Sequence, residues 1–286
     1  VLFLIGKILG EIILAFVLIL SLNVIILART GLWSIGHIGF FGLGMLFSGL
    51  AMSNGVNPWL AGAMGLAGSA GSAALVGAAS LRLKNDYFLI LSIGFVYIVH
   101  AMNLSLSSIN GFSGLSRPWP FGTGFEQALL LLGAMLLPAI ALVLWLHFRL
   151  RQSSLDAICA LARENEDAAQ ALGVSTPWLR WHLFFWGSLV ACWAGIVFTF
   201  YTMGTSPERC SMASGIMLFA CMILGGIGTV TGSILGSLAF VLVPRLLELT
   251  LVDGLGWSFN ASHSAQIIFG CMLISLLLLR KGADHG

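Results

Sequence analysis

Charge is what this sequence has least of. Only 8% of its 286 residues are Asp, Glu, Lys or Arg, against 58% that are hydrophobic. Lysine occurs three times, as Lys7, Lys84 and Lys281, and none of them closes a GxxxxGK[ST] phosphate loop, so energy from ATP would have to enter through another subunit. A net charge of +2, with the basic residues scattered among loops, gives no surface for nucleic acid. The five cysteines, Cys159, Cys192, Cys210, Cys221 and Cys271, are odd in number and show no CxxC or Cys/His spacing. They read as small packing residues rather than as a disulfide framework or a metal site. An H-E-x-x-H pair and a nucleophile with its base are also missing, so the chain is expected to perform no bond chemistry and to bind no cofactor or metal of its own.

What is present is apolar length. The mean hydropathy is +1.00 and 35 residues are glycine, the composition of a polytopic helical membrane protein. A span needs roughly 20 apolar residues. About nine such runs can be marked, with eight to ten as the range: 8–28, 32–52, 58–80, 87–104, 125–148, 181–203, 212–227, 230–250 and 264–280. The first run lacks a small-residue cleavage site and is followed at once by others, so it reads as a span and not as a removed signal peptide. The expectation is one all-α transmembrane domain over 1–286, with 149–180 as a loop inside it. Basic residues near span ends mark the cytoplasmic side. Arg29, the Arg82/Lys84 loop, the 149–180 segment and the Arg280/Lys281 tail then share that side, while Arg117, Arg209 and Lys7 fall on the other.

The scarce charge gathers in RENEDAAQALGVSTPWLRWH, Arg163 to His182. Leu155, Ile158, Ala162, Ala169 and Leu172 recur at three- and four-residue steps, with Asn165 interrupting the stripe, which predicts a surface helix. Ser153 or Ser154 is placed to cap its start, and Gly173 suits the left-handed position that ends a helix. Ser175 or Thr176 is placed to cap the next helix, with Pro177 in its first turn. The expected shape is helix, sharp turn, helix. It serves either as an ordinary interfacial loop or as a docking element with a smooth face at Ala168 and Ala169 and acids at Glu164, Glu166 and Asp167.

The spacing Asp167-Ala168-Ala169-x-x-x-Gly173 resembles the EAA-x-x-x-G coupling motif of ABC importer permeases, in which a short helix fits a groove on an ATPase subunit. Four longer stretches narrow the resemblance to branched-chain amino acid permeases of the LIV-M type. TGLWSIGHIGFFGLG (Thr30 to Gly44) is similar to that family's TGQLSLGHAAFFGIG, and LRLKNDYFLILSIGF (Leu81 to Phe95) to its LRLRGDYFAIVTLGF. ARENEDAAQALGV (Ala162 to Val174) resembles IRENEIAAEALGI, and LGGIGTVTGSILGS (Leu224 to Ser237) resembles LGGLGSLWGPVLGA. The resemblance implies a permease that moves branched-chain or other neutral amino acids, or urea and short amides, by alternating access in a bacterial inner membrane. It further implies ATP-binding subunits that use ATP and Mg, a second homologous permease, an external solute-binding protein, and contact with membrane lipids. Glu164, Asn165, Glu166, Asp167, Ala168, Ala169 and Gly173 would then be the ATPase-coupling residues. The chain departs from the family at Val96-Tyr97-Ile98-Val99-His100, where Gly-Glu-Ile-Val-Arg is common, and at Leu32 and Leu46, which replace a frequent Gln and Tyr. Its outer loop from Asn110 to Leu115 lacks the usual Pro-Asn-Gly, and its tail from Leu279 to Gly282 lacks a Pro.

Asn23, His37, Tyr97, His100 and Asn103 are polar side chains within apolar runs, placed either to line a translocation path or to bridge neighbouring helices. Gly62, Gly65, Gly68, Gly71 and Gly77 predict a smooth third span, either for close packing within the subunit or for a moving interface. Gly225, Gly226, Gly228, Gly232 and Gly236 predict a turn at Thr229-Val230-Thr231, and Arg117-Pro118-Trp119-Pro120-Phe121 an interfacial anchor. An ion-gradient-driven secondary transporter is the alternative reading. It would need ionisable groups in mid-span, where Glu11, His37, His100, Arg245 and Glu248 are the few available. An intramembrane enzyme or scaffold lacks its residues altogether.

Overall fold

The computed structural model describes residues 2–248 apart from 32–33, 84, 111–114, 119, 122–123, 165 and 172, together with residue 270. The run at 264–280, the Arg280/Lys281 tail, Cys271 and Trp119 therefore lie outside the described residues. Within them there is no β-strand. The helices are α1 (Leu2–Leu20), α2 (His37–Ser53), α3 (Pro58–Ser80), α4 (Asn85–Asn110), α5 (Phe125–Arg151), α6 (Ser154–Glu164), α7 (Glu166–Ala171), α8 (Thr176–Thr202), α9 (Met212–Gly225) and α10 (Val230–Glu248). After α1 the backbone stays helical, first as a π-helix over Ser21–Leu27 and then as an α-turn over Ala28–Thr30. Among the described residues five helices are long and apolar enough to cross a membrane, and three shorter apolar ones, in α2, α9 and α10, accompany them. Eight of the nine expected runs thus appear as helices.

Local chemistry sets the ends. Asn57 accepts the Trp59 N–H at 3.0 Å with Pro58 in the first turn, which starts α3 where the sequence predicts it. The second span was expected from residue 32, yet helix begins only at His37. Gly31 sits at φ +66°, the Gly36 N–H donates to Ser34 Oγ, and the Ile35 N–H donates to Ser92 Oγ of α4. Those side-chain acceptors satisfy the backbone of residues 35–36 without a helix. The sixth span, expected from 181, starts at Thr176, because nothing after Pro177 breaks the helix.

The centre is built on α2, α3 and α8, which meet backbone to backbone. A Cβ on Gly195 would stand 2.0 Å from the Phe41 carbonyl oxygen, and one on Gly44 would stand 2.2 Å from that of Cys192. On α3, Gly62 and Gly65 lie under Phe200 and Ile196, Gly68 under Phe47, and Gly77 under Trp181 and Phe184, whereas Gly71 meets none of the described residues. Close approach substitutes for large side chains where lipid supplies no hydrophobic drive between helices. By contrast α4 buries one stripe, Phe88, Ser92, Val96, Val99 and Asn103, and turns Ile90, Tyr97, Ile98 and Leu104 outward.

The charges sort to the two ends of the bundle. Arg29 pairs with Asp156 at the end that carries α6 and α7. At the far end Arg209 pairs with Glu11 at 2.9 Å. There Arg117 donates to the last carbonyls of α8, from Nε to Phe200 O at 3.1 Å and from Nη2 to Tyr201 O at 3.0 Å, and from Nη1 to Gly124 O at 3.0 Å. A cation on carbonyls that have no helical partner stabilises a helix C-terminus. Arg117→Ala is expected to cost about 2 kcal/mol. It would be read as a lower melting temperature of the detergent-solubilised protein, and an unchanged midpoint would show that these bonds are replaced by water.

Candidate functional site

The hairpin end is assembled from three helices and one obligatory turn. α6 lies across the end of the first helix: Asp156 pairs with Arg29, whose Nη2 also donates to the His147 carbonyl at 3.4 Å. The Arg163 stem packs 3.3 Å from where a Cβ on Gly31 would be. Burial pushes the Cys159 thiol of α6 up, so it stays protonated and unreactive. The expected single helix is two, Ser154–Glu164 and Glu166–Ala171, with Asn165 between them outside the described residues. Glu164 lies at the end of α6, and Glu166 and Asp167 in the first turn of α7.

Ala169 is buried and Ala168 half-buried. α7 closes in a Schellman motif: the Gly173 N–H reaches Gln170 O at 2.9 Å, the Val174 N–H reaches Ala169 O at 3.3 Å, and Gly173 holds φ +82°. Among the described residues nothing lies within 4 Å of a Cβ placed on Gly173, which marks the residue for its backbone conformation rather than for space. The serine caps expected from the sequence do not form. Ser153 Oγ donates backward to Leu150 O, and Ser175 occupies the position before α8 without a side-chain bond. The hairpin leaves Gln170, Ala171, Gly173, Ser175 and Trp178 exposed.

The polar side chains proposed for a path fall in separate places. Asn23 and His37 meet the π-helical segment. His37 opens α2, and its Nε2 lies 3.1 Å from Ser21 Oγ, while its Nδ1 is buried with no hydrogen-bond partner among the described residues. Asn23 is fully buried and turned onto the α9–α10 connection. Its Nδ2 donates to Gly226 O at 3.0 Å, Thr229 O at 3.2 Å and Ser233 Oγ at 3.1 Å, and its Oδ1 accepts the Gly228 N–H at 2.6 Å.

The other three lie on α4. Asn103 donates to Gly42 O at 3.2 Å and Val99 O at 3.0 Å, and His100 Nδ1 lies 3.1 Å from the carbonyl of Pro207, in a 3-10 turn over Pro207–Cys210. Tyr97 is 58% exposed on the outward face. The five are therefore not brought to one cavity; His37, Asn23 and Asn103 bind neighbouring elements.

The turn that Asn23 holds is shifted from its expected place. Helix resumes at Val230, so the turn is Gly226–Thr229, with Gly226 at φ +112° and Gly228 at φ +79°, and Thr229 Oγ1 accepts the Gly232 N–H at 3.0 Å as a cap. Cβ atoms on Gly225 and Gly232 would each strike the other helix's backbone within 2.6 Å, so the two helices touch directly. α9 has 14 residues, about 21 Å, against a hydrocarbon core of about 30 Å. Asn23 stands seven residues before Thr30, or about 10 Å along the helix, so the turn is recessed below the hairpin end. A broken helix pair and a π-helix at one depth form a polar junction inside the bundle, the kind of discontinuity that transporters place near their moving parts. Sequence reasoning missed its organisers Ser21 and Ser233, and treated Arg29 only as a topology signal.

The family profile described as branched-chain amino acid transport system / permease component matches residues 6–280. The high-affinity branched-chain amino acid transport system permease protein LivM of Salmonella typhimurium (strain LT2) is 28% identical over 294 residues, covering 92% of this chain and 66% of its own length. The Escherichia coli (strain K12) protein of the same name gives the same identity and coverage. The probable branched-chain amino acid transport permease protein LivM of Methanocaldococcus jannaschii is 28% identical over 209 residues, which is 69% of this chain and 59% of that protein. The chain thus spans at most 66% of the length of these curated relatives. No solved structure matches it.

Proposed function

This chain belongs to the family of branched-chain amino acid transport system permease components, and from that premise we propose that it is the membrane-spanning subunit of an ATP-driven importer for branched-chain or other neutral amino acids. The observation that carries the reading is the family match over 6–280 in a multi-pass chain whose charge-rich stretch 163–173 lies at one end, with Arg163, Gln170, Ala171 and Gly173 exposed. That end faces the cytoplasm of a bacterial inner membrane. There ATP-binding subunits, which hold ATP and Mg, grip the hairpin; a second homologous permease completes the pathway, and an external solute-binding protein delivers the amino acid to the far end. The chain itself contributes helices that rock, not a catalytic group. Urea and short amides are the substrate alternative, because Val96 to His100 departs from the family's acid and base.

The test is uptake of radiolabelled leucine by cells expressing the whole transporter. Uptake is expected to stop when ATP is depleted and to persist when a protonophore collapses the ion gradient at held ATP. Loss with the gradient alone would replace this reading with a secondary transporter, and no leucine uptake with ATP-dependent uptake of urea would move the substrate.

A further inference from the structure

We propose that the first helix is a strut joining the hairpin to the recessed α9–α10 turn, with Arg29 and Asn23 as its two positioning residues. The inference rests on the importer reading above, in which the hairpin is where force enters. Two observations at opposite ends of one short segment support it.

At the hairpin end the Arg29 side chain is 3% exposed while its partner Asp156 on α6 is 43% exposed. A buried cation that loses its carboxylate is strongly disfavoured, so α6 and the end of the first helix move together. The Arg163 stem against Gly31 adds a second contact between the same two elements. Six residues earlier Asn23 spends both ends of its amide on the turn, through Gly226, Gly228, Thr229 and Ser233. Buried amide groups left without those partners cost more than the bonds return, so the turn follows Asn23 as α6 follows Arg29.

Between the two anchors lies the π-helix Ser21–Leu27. Its hydrogen bonds span five residues where those of an α-helix span four, so converting between the two forms would change the register of what lies beyond. An α-helical form of the same segment would give the strut a second arrangement, which is what carrying a displacement between separated sites requires. Motion of the hairpin thus reaches the turn through the helical segment between Arg29 and Asn23.

The complete transporter, reconstituted with its ATP-binding subunits, partner permease and solute-binding protein, tests this with radiolabelled leucine as the probe. Asp156→Ala and Asn23→Ala are each expected to lower leucine moved per ATP hydrolysed about tenfold, with the ATPase rate kept within about twofold. The double variant should be no worse than the poorer single, because the two act in series. Asp156→Glu should restore the ratio to within about twofold. Independent losses that multiply to about a hundredfold, or singles with an unchanged ratio, would overturn the strut.

A second readout needs no solute. An Ile227→Cys substitution within the turn should change its maleimide labelling rate on ATP binding, and should stop doing so when Asp156→Ala is added. Persistence of the ATP response in that variant would refute the link. If Asn23→Ala does not accumulate, Ser233→Ala is labelled in its place, with a reduced response expected and an undiminished one counting against the strut. An unmodified complex that takes up no leucine counts against the function proposed above, and the labelling comparison then decides the strut by itself.

Discussion

Gly195→Ala is expected to prevent the protein from accumulating in folded form. The added methyl would sit 2.0 Å from the Phe41 carbonyl oxygen, 2.9 Å from its carbon and 3.2 Å from the Met45 nitrogen, all backbone atoms of α2. No rotamer change relieves a clash with backbone, so α2 and α8 would have to part, and Phe41, Phe198 and Cys192 would lose contacts with them. Overpacking a close-packed interior costs about 3 kcal/mol or more when the neighbours cannot yield. Gly44→Ala should behave alike, since its methyl meets the Cys192 carbonyl from the opposite side. Gly71→Ala is the control: it lies on α3 with no neighbour within 4 Å among the described residues and should change stability by no more than about 0.5 kcal/mol. Comparing monodisperse yield and melting temperature in detergent for the three variants settles the point. A Gly195→Ala protein as stable as Gly71→Ala would mean that α2 and α8 do not cross there.

Gly173→Pro should give the opposite phenotype, a protein that inserts and folds but does not transport. Proline holds φ near −65°, whereas the Schellman turn needs Gly173 at +82°, and proline also deletes the N–H that reaches Gln170 O. The turn lies on the exposed hairpin and outside the packed centre, so its loss should leave the melting temperature nearly unchanged. Uptake should fall at least tenfold while the partner subunits still hydrolyse ATP. Gly173→Ala isolates the conformational term, because space is free around it and only the left-handed backbone is penalised, by about 1–2 kcal/mol. A partial loss is expected there, and charge reversal at Glu164 should uncouple in the same sense. Full coupled uptake in both the proline and the Glu164 variants would remove the hairpin from the coupling role.

Much of this arrangement is written locally in the chain, and the remainder depends on residues far apart in sequence. The start of α3 follows from Asn57-Pro58, and the hairpin turn from Gly173, because caps and left-handed glycines act over three or four residues. The glycines of α3 announce close packing, and four of the five find a neighbour within the subunit. The late start of α2 could not be read, since it depends on Ser92, 57 residues away, accepting the Ile35 N–H. Nor could the π-helix, because Ser21–Leu27 is a largely apolar helical sequence whose two engaged polar side chains find distant partners, Ser21 at His37 and Asn23 more than 200 residues on. Arg29 looked like one topology charge among several until α6 placed Asp156 beside it. Of the five polar candidates, the sequence named residues that are mostly spent on holding backbone breaks together, and spacing alone does not separate that use from lining a path.

The short ninth helix also bears on insulation. Because α9 ends after 14 residues and its turn is held at the level of Asn23, the low-dielectric layer at that spot is thinner than the bilayer around it. An ion or solute that reaches the turn from the hairpin side has only the length of α9 left to cross, about 21 Å. In an importer of the kind proposed above, the membrane voltage would drop over that shorter distance, and the seal would fall to the far half of the bundle, where Asn103 donates to Gly42 O and joins α4 to α2.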